Sequence, residues 1–206
     1  MTPASPWVRR VRICIDELGI GDRFEYVQTK WPHAWGTRTV EMPADFVEAT
    51  PVVRIPALVA GDVTLTDSHS IIDYLDGKFG KHRLLAADGP ERWKALETNA
   101  LACAILEAQI MRRAELLRTG ADRSDDFIAK MHDRGLRCFA ALEKKVPSFG
   151  DAFGLPEITT AVACGYDEWR YGLGWREAAP MLATWYDTVA RRPSMKATEP
   201  AETPQR

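Results

Sequence analysis

From Trp93 onward, apolar side chains recur in steps of three and four through Leu96, Ala100, Cys103, Ile110, Ala114 and Leu117, with Glu107 the one charged residue in the series. That spacing is one face of an α-helix and predicts a single long helix. Further helices follow it. Ser124 before Asp125-Asp126 is a good N-cap with acidic first-turn residues, and it starts a helix running to about Val146. Another spans about Leu155 to Tyr171. The next runs from about Pro180 to Arg191, and Pro193 stops it. Residues 90–206 therefore read as an all-helical domain.

The front of the chain has a different character. After Ser5-Pro6, the positions Val8, Val11, Ile15 and Leu18 mark one face of a helix, with Pro6 suited to its first turn and Gly19 to its end. Arg23-Phe24-Glu25-Tyr26-Val27 alternates like a strand. An irregular stretch from Thr29 to Thr50 carries Trp31 and Trp35. Residues 55–59 and 63–65 then read as two strands joined through Gly61-Asp62. Asp67-Ser68 opens another helix, with Ile71, Ile72, Leu75 and Phe79 inside and Gly80 at its end. The expected organisation is a small α/β domain over 1–80, a linker over 81–89 and the helical domain.

Composition narrows the partners. Lys+Arg number 27 against 29 Asp+Glu, for a net charge of −2, so no basic excess exists to neutralise a nucleic-acid backbone. Apolar runs such as Leu101 to Leu106 fall far short of the roughly 18 residues that a membrane span needs. Met1 to Ser5 lacks the basic and apolar regions of a signal peptide. The four cysteines (Cys14, Cys103, Cys138, Cys164) have no CxxC or ligand spacing and read as reduced packing residues of a cytoplasmic protein. The four histidines are scattered, so no metal is expected. GxSxG, P-loop and GxGxxG motifs do not occur.

Four constellations could carry chemistry. Ser5 stands at a helix N-terminus, where a hydroxyl could donate a hydrogen bond to a thiolate favoured by the helix dipole; a plain N-cap is the simpler alternative. In Arg54-Ile55-Pro56 a cis proline would leave the backbone of Ile55 facing outward, ready to pair with an extended peptide; an ordinary X-Pro at a sheet edge is the rival. Asp67 and Ser68 together could hold a zwitterion, Asp67 taking the ammonium and Ser68 the carboxylate, or could simply cap their helix. Trp7, Trp31 and Trp35, with Met111 and Arg112 on the long helix, could line an apolar cleft with one cation, or pack a core or dimer interface. Glu107 fits a rim position or an interface ion pair better than a catalytic carboxylate.

In this order the motifs resemble those of the cytosolic glutathione transferases. Ser5-Pro6-Trp7-Val8-Arg9-Arg10-Val11 is similar to the family's S-P-[YFW]-V-R-K-V segment, and residues 50–58 to its N-P-x-x-x-[VI]-P-x-L run. Residues 65–75 resemble its L-x-[ED]-S-x-x-I-x-x-Y-L signature, and residues 192–198 its R-P-S-[FM]-x-x-T ending. The resemblance implies a thioredoxin-like N-terminal domain, an all-α C-terminal domain and a homodimer. It implies glutathione as co-substrate, with Ser5 activating the thiol as in the serine-type, tau-like and theta-like members. Ile55 would pair with the cysteinyl unit beside a cis Pro56, Arg54 would reach the glycyl carboxylate, and Asp67 and Ser68 would hold the γ-glutamyl end. The expected reaction joins glutathione to a small apolar electrophile lying against Trp7, Trp31, Trp35, Glu107 and Met111. A binding or stress-regulatory protein, or a glutathione-dependent isomerase, dehalogenase or ether-cleaving enzyme, are the alternatives.

Two departures from the pattern carry expectations. Only Met1 to Ala4 precede Ser5, so the family's first strand is expected to be truncated. Gly154-Leu155-Pro156-Glu157 stands where the family has [ST]-x-x-D, so one half of a capping box is expected to be lost.

Overall fold

A computed structural model describes residues 3–27, 44–170 and 172–201. The chain divides into two compact units. The described residues up to Ala87, together with those from Pro193 on, form the first, and Asp88–Arg192 form the second. The last segment thus packs with the front of the chain, whereas the sequence reading assigned it to the helical domain.

In the first unit, helix α1 (Pro6–Leu18) begins at Ser5, whose side chain accepts a hydrogen bond from the backbone N–H of Val8 at 3.4 Å. It ends at Gly19, at φ +68°, a left-handed cap that glycine adopts without a Cβ penalty. A short helix α2 (Ala44–Ala49) leads to strands β1 (Ala57–Ala60) and β2 (Val63–Thr66). They pair antiparallel, with Ala57 opposite Thr66 and Ala60 opposite Val63, so the turn is Gly61-Asp62 as its sequence suggests. Helix α3 (Ser68–Leu75) follows, extended by a wider π-type turn over Asp76–Gly80. Val8, Val11, Cys14 and Ile15 of α1 and Ile71, Ile72 and Leu75 of α3 are all buried, and α1 packs on α3, which in turn packs on both strands.

Two features of this unit differ from the sequence reading. Residues 24–27 join no strand, although Phe24 is extended at φ −125° and ψ 133°. Alternation specifies two faces but no neighbour, and the ladder among the described residues consists of β1 and β2 only. Asp76, expected on no special ground, is fully buried. Its Oδ2 accepts hydrogen bonds from the N–H groups of Leu84 and Leu85 at 2.9 and 2.8 Å, which fastens the connecting segment to the end of α3. No strand is assigned ahead of α1 among the described residues.

Helix α9 (Pro193–Ala197) completes the first unit against α1. The buried Arg9 donates to the carbonyl of Met195 at 3.2 Å, and the hydroxyl of Ser194 donates to the Glu17 carboxylate at 2.5 Å.

The second unit is built on α4 (Gly89–Leu116), packed against α5 (Asp125–Glu143) and α6 (Leu155–Trp169). The short helix α7 (Trp175–Ala178) and α8 (Pro180–Val189) close it. Ser124 caps α5 by accepting from Phe127 N–H at 3.2 Å. At α6 the Glu157 carboxylate accepts from Gly154 N–H at 3.1 Å, while Gly154 has no side chain to return the bond, so half the box is present. The face of α4 that carries the apolar series is not its buried one: Trp93 is 63% exposed and Leu117 42%. The buried face holds Thr98, Asn99, Ala102, Ile105, Leu106, Ala108 and Gln109. Two of its polar members bond across the packing: Thr159 donates to Asn99 Oδ1 at 2.8 Å and Gln109 Nε2 donates to the Ala163 carbonyl at 3.1 Å.

Candidate active site

Seven of the residues singled out in the sequence lie among the described residues of the first unit: Ser5, Trp7, Arg54, Ile55, Pro56, Asp67 and Ser68. Two of them head helices, and the helices touch. Ser5 is the N-cap of α1, half-buried, at extended φ −87° and ψ 120°. Its oxygen takes the Val8 N–H, so its own proton remains available for donation to an acceptor in front of the helix. Trp7 follows one residue into the helix, half-buried, with the Arg10 guanidinium 5.5 Å from its ring centroid.

Asp67 is the N-cap of α3. Its Oδ1 accepts from Ser70 N–H at 2.8 Å and its Oδ2 from the Ser70 hydroxyl at 3.3 Å. Its backbone, at φ +61° and ψ 147°, lies in a region that residues other than glycine rarely adopt. Ser68, the first helical residue, is buried. The start of α3 thus combines a carboxylate with the outward-facing amides of a helix N-terminus.

Between these two helix starts runs Thr50 to Pro56. The Ile55–Pro56 peptide is cis. Pro56 is buried, Ile55 half-buried and Arg54 exposed, and all three precede β1. Val53 lies at φ +51°, an outlier for a β-branched residue. Positive-φ backbone thus occurs at Val53 and Asp67, on either side of the hairpin, as it also does at Lys81 and His82 in the connecting segment. Neither strain nor the Asp76 clasp was visible in the sequence pattern. A valine after Thr50-Pro51 gives no local signal of positive φ.

The remaining substrate-site candidates divide differently. Glu107 and Met111 are exposed on α4 in the second unit, Met111 at 45%. Trp31 and Trp35 lie outside the described residues. No cluster of metal-ligating side chains occurs among the described residues. Cys14 of α1 is fully buried, and burial pushes its thiol pKa far up.

Comparison with known proteins decides the family. A sequence-family model described as "Glutathione S-transferase, N-terminal domain" matches residues 1–83. A glutathione transferase family member from Pseudomonas fluorescens Pf-5, solved with bound S-(propanoic acid)-glutathione, is 33% identical, with a TM-score of 0.85 over 98% of this chain and 97% of that one. The chain belongs to the glutathione transferase family. Its first unit is the family's thioredoxin-like domain and its second the all-helical domain. Glutathione S-transferase Z2 of Arabidopsis thaliana is 26% identical over 97% of this chain and 89% of its own. The GST-like protein YibF of Escherichia coli is 27% identical, covering 95% of each.

Proposed function

We propose that the protein is a glutathione transferase in the catalytic sense: it joins the thiolate of glutathione to a small apolar electrophile. The observation that carries this reading is Ser5. Its oxygen accepts from the first turn of α1, which leaves its own O–H free to donate, at the positive end of a helix dipole. A thiol seated there gives up its proton more readily, because the anion gains a hydrogen bond from the hydroxyl and the field of the helix. The proton leaves to solvent, the sulfur attacks the electrophilic carbon, and the leaving group departs with the bonding pair. Ser5 stays protonated throughout and acts by stabilising the nucleophile, while proximity of the two bound reactants supplies much of the remaining acceleration.

The other roles follow the shape of the tripeptide. Ile55 pairs its backbone with the cysteinyl unit, Arg54 meets the glycyl carboxylate, and Asp67 and Ser68 take the γ-glutamyl ammonium and carboxylate. Trp7, Trp31, Trp35, Glu107 and Met111 receive the electrophile. The protein works in the cytoplasm as a homodimer, and the exposed apolar side chains of α4, Trp93 among them, support an association surface.

Ser5→Ala tests the proposal. Conjugation of glutathione to a halonitroaromatic should fall by about 10²-fold or more, as for loss of a single anion-stabilising donor, with glutathione affinity by calorimetry nearly retained. Equal loss of both, or of neither, removes Ser5 from its role. A relative from Euphorbia esula that is named as a zeta-class glutathione S-transferase, 26% identical over 70% of this chain, supports a second reading, glutathione-dependent isomerisation at the same thiol site. Turnover of a cis-enone acid without net consumption of glutathione would distinguish it.

A further inference from the structure

Inside the helical unit, a pocket of about 10 Å³ is lined by Gln109 and Arg112 of α4 and by Tyr166, Asp167, Arg170, Gly172 and Leu173 at the end of α6. Its polar lining is more demanding than its size suggests. Gln109 is more than nine-tenths buried. Its Nε2 donates to the Ala163 carbonyl at 3.1 Å and to Asp167 Oδ1 at 3.2 Å. Two acceptors on one side of the amide fix which end is nitrogen, so Oε1 must be the other end. That oxygen is buried and accepts no hydrogen bond from the protein. Arg112 Nε is likewise buried and donates to nothing in the protein.

Asp167 explains why the two do not find partners nearby. Its Oδ2 is taken by the Leu173 N–H at 2.8 Å and its Oδ1 by Gln109. Burial pushes its carboxyl pKa up, and these hydrogen bonds together with the Arg112 charge partly offset that. Arg112 Nε makes no hydrogen bond to that carboxylate. The lining calls for a donor to Gln109 Oε1 and an acceptor for Arg112 Nε, and the buried Nε of Arg170 adds a second guanidinium N–H to the same lining. One water can donate to the amide oxygen and accept from guanidinium N–H groups with its two lone pairs, and the volume is that of a single water rather than of a polyatomic ion.

We propose that this pocket is a binding site for one internal water, which donates to Gln109 Oε1, accepts from Arg112 Nε and so ties α4 to the end of α6. The site fixes the stem of Arg112, the neighbour of the substrate-site candidate Met111, without drawing it into an ion pair.

The test is a crystal structure of the full chain at a resolution that orders internal water, with water-to-protein cross-relaxation in solution. The expected result is an oxygen within about 2.7–3.2 Å of both Gln109 Oε1 and Arg112 Nε, and a long-lived water cross-peak to the Gln109 side-chain amide. Arg112→Met should abolish that cross-peak while the helical circular dichroism is unchanged. A direct Arg112–Asp167 ion pair closing the pocket, density for an ion in its place, or a cross-peak that persists in Arg112→Met would overturn the proposal.

Discussion

The carboxylate of Asp67 holds Ser70 twice, by its backbone N–H at 2.8 Å and by its hydroxyl at 3.3 Å. A side chain assigned to a ligand thus also carries the start of the helix beneath it, and the two duties separate by substitution. Asp67→Asn keeps an oxygen for the Ser70 N–H and should leave stability within a few tenths of a kcal/mol, while weakening glutathione binding through loss of the charge. Asp67→Ala should weaken binding and also cost about 1 kcal/mol or more of stability, since the cap is lost at a backbone geometry alanine tolerates poorly. Urea titration and calorimetry of both variants check this. Unaltered glutathione affinity in Asp67→Asn removes the carboxylate from the ligand site.

Val53 stands at φ +51°, a backbone conformation that favours glycine over a β-branched residue. The left-handed region costs a residue with a Cβ about 1–2 kcal/mol, and a glycine there gives back about 0.4–1 kcal/mol through the freedom of the unfolded chain. Val53→Gly should therefore raise stability by up to about 1 kcal/mol, seen as a higher urea midpoint. A lower midpoint would mean that packing of the Val53 side chain outweighs its strain.

Glu157 sets up a pH dependence at the head of α6. Burial raises its carboxyl pKa, although the bonds from its own N–H and that of Gly154 pull the other way. A folded-state value above the unfolded one means the folded chain holds the proton more tightly. The contribution of this group is then undiminished below the unfolded value of about 4.3 and declines as pH rises through the raised one. Glu157→Gln keeps an acceptor for Gly154 N–H and does not titrate. The difference in unfolding free energy between the two proteins should shift in favour of the glutamine form as pH rises from about 4. Parallel curves would show that the carboxylate is not desolvated.

Cys14 and Cys164 are fully buried, and burial pushes both thiols well above their usual range. Treatment of the native protein with iodoacetamide at mild alkaline pH should leave both unmodified and confine labelling to the half-buried Cys103 and Cys138. Peptide mapping reads this directly. Labelling of Cys14 or Cys164 at the rate of the other two would show that the units open readily.

Much of this was legible from local chemistry. Ser5-Pro6 and Gly19 bracket α1 because capping is settled within a few residues, and Gly61-Asp62 places the hairpin for the same reason. What escaped depends on partners far along the chain. Residues 24–27 alternate as a strand should, yet they join no ladder among those described. Thr98, Asn99 and Gln109 look like a solvent face until α6, some sixty residues on, supplies Thr159 and Ala163. Asp76 is a charge in a helix end by sequence and a buried clasp in space because Leu84 and Leu85 turn their amides to it. The candidate site lay at the legible end, since caps, a cis proline and turn residues are local devices. Its strain at Val53 and Asp67 is a property of the assembled unit.

The helix that begins at Pro193 rests on α1, with Arg9 reaching Met195 and Ser194 reaching Glu17. In a growing polypeptide the whole helical unit is synthesised between these two partners. The segment bearing Ser5 is thus made before the helical unit and acquires all its neighbours only after it. A chain halted before Pro193 would expose one flank of α1 although the helical unit has already been made, so the Ser5 segment should gain its full set of neighbours only once residues 193–197 are added.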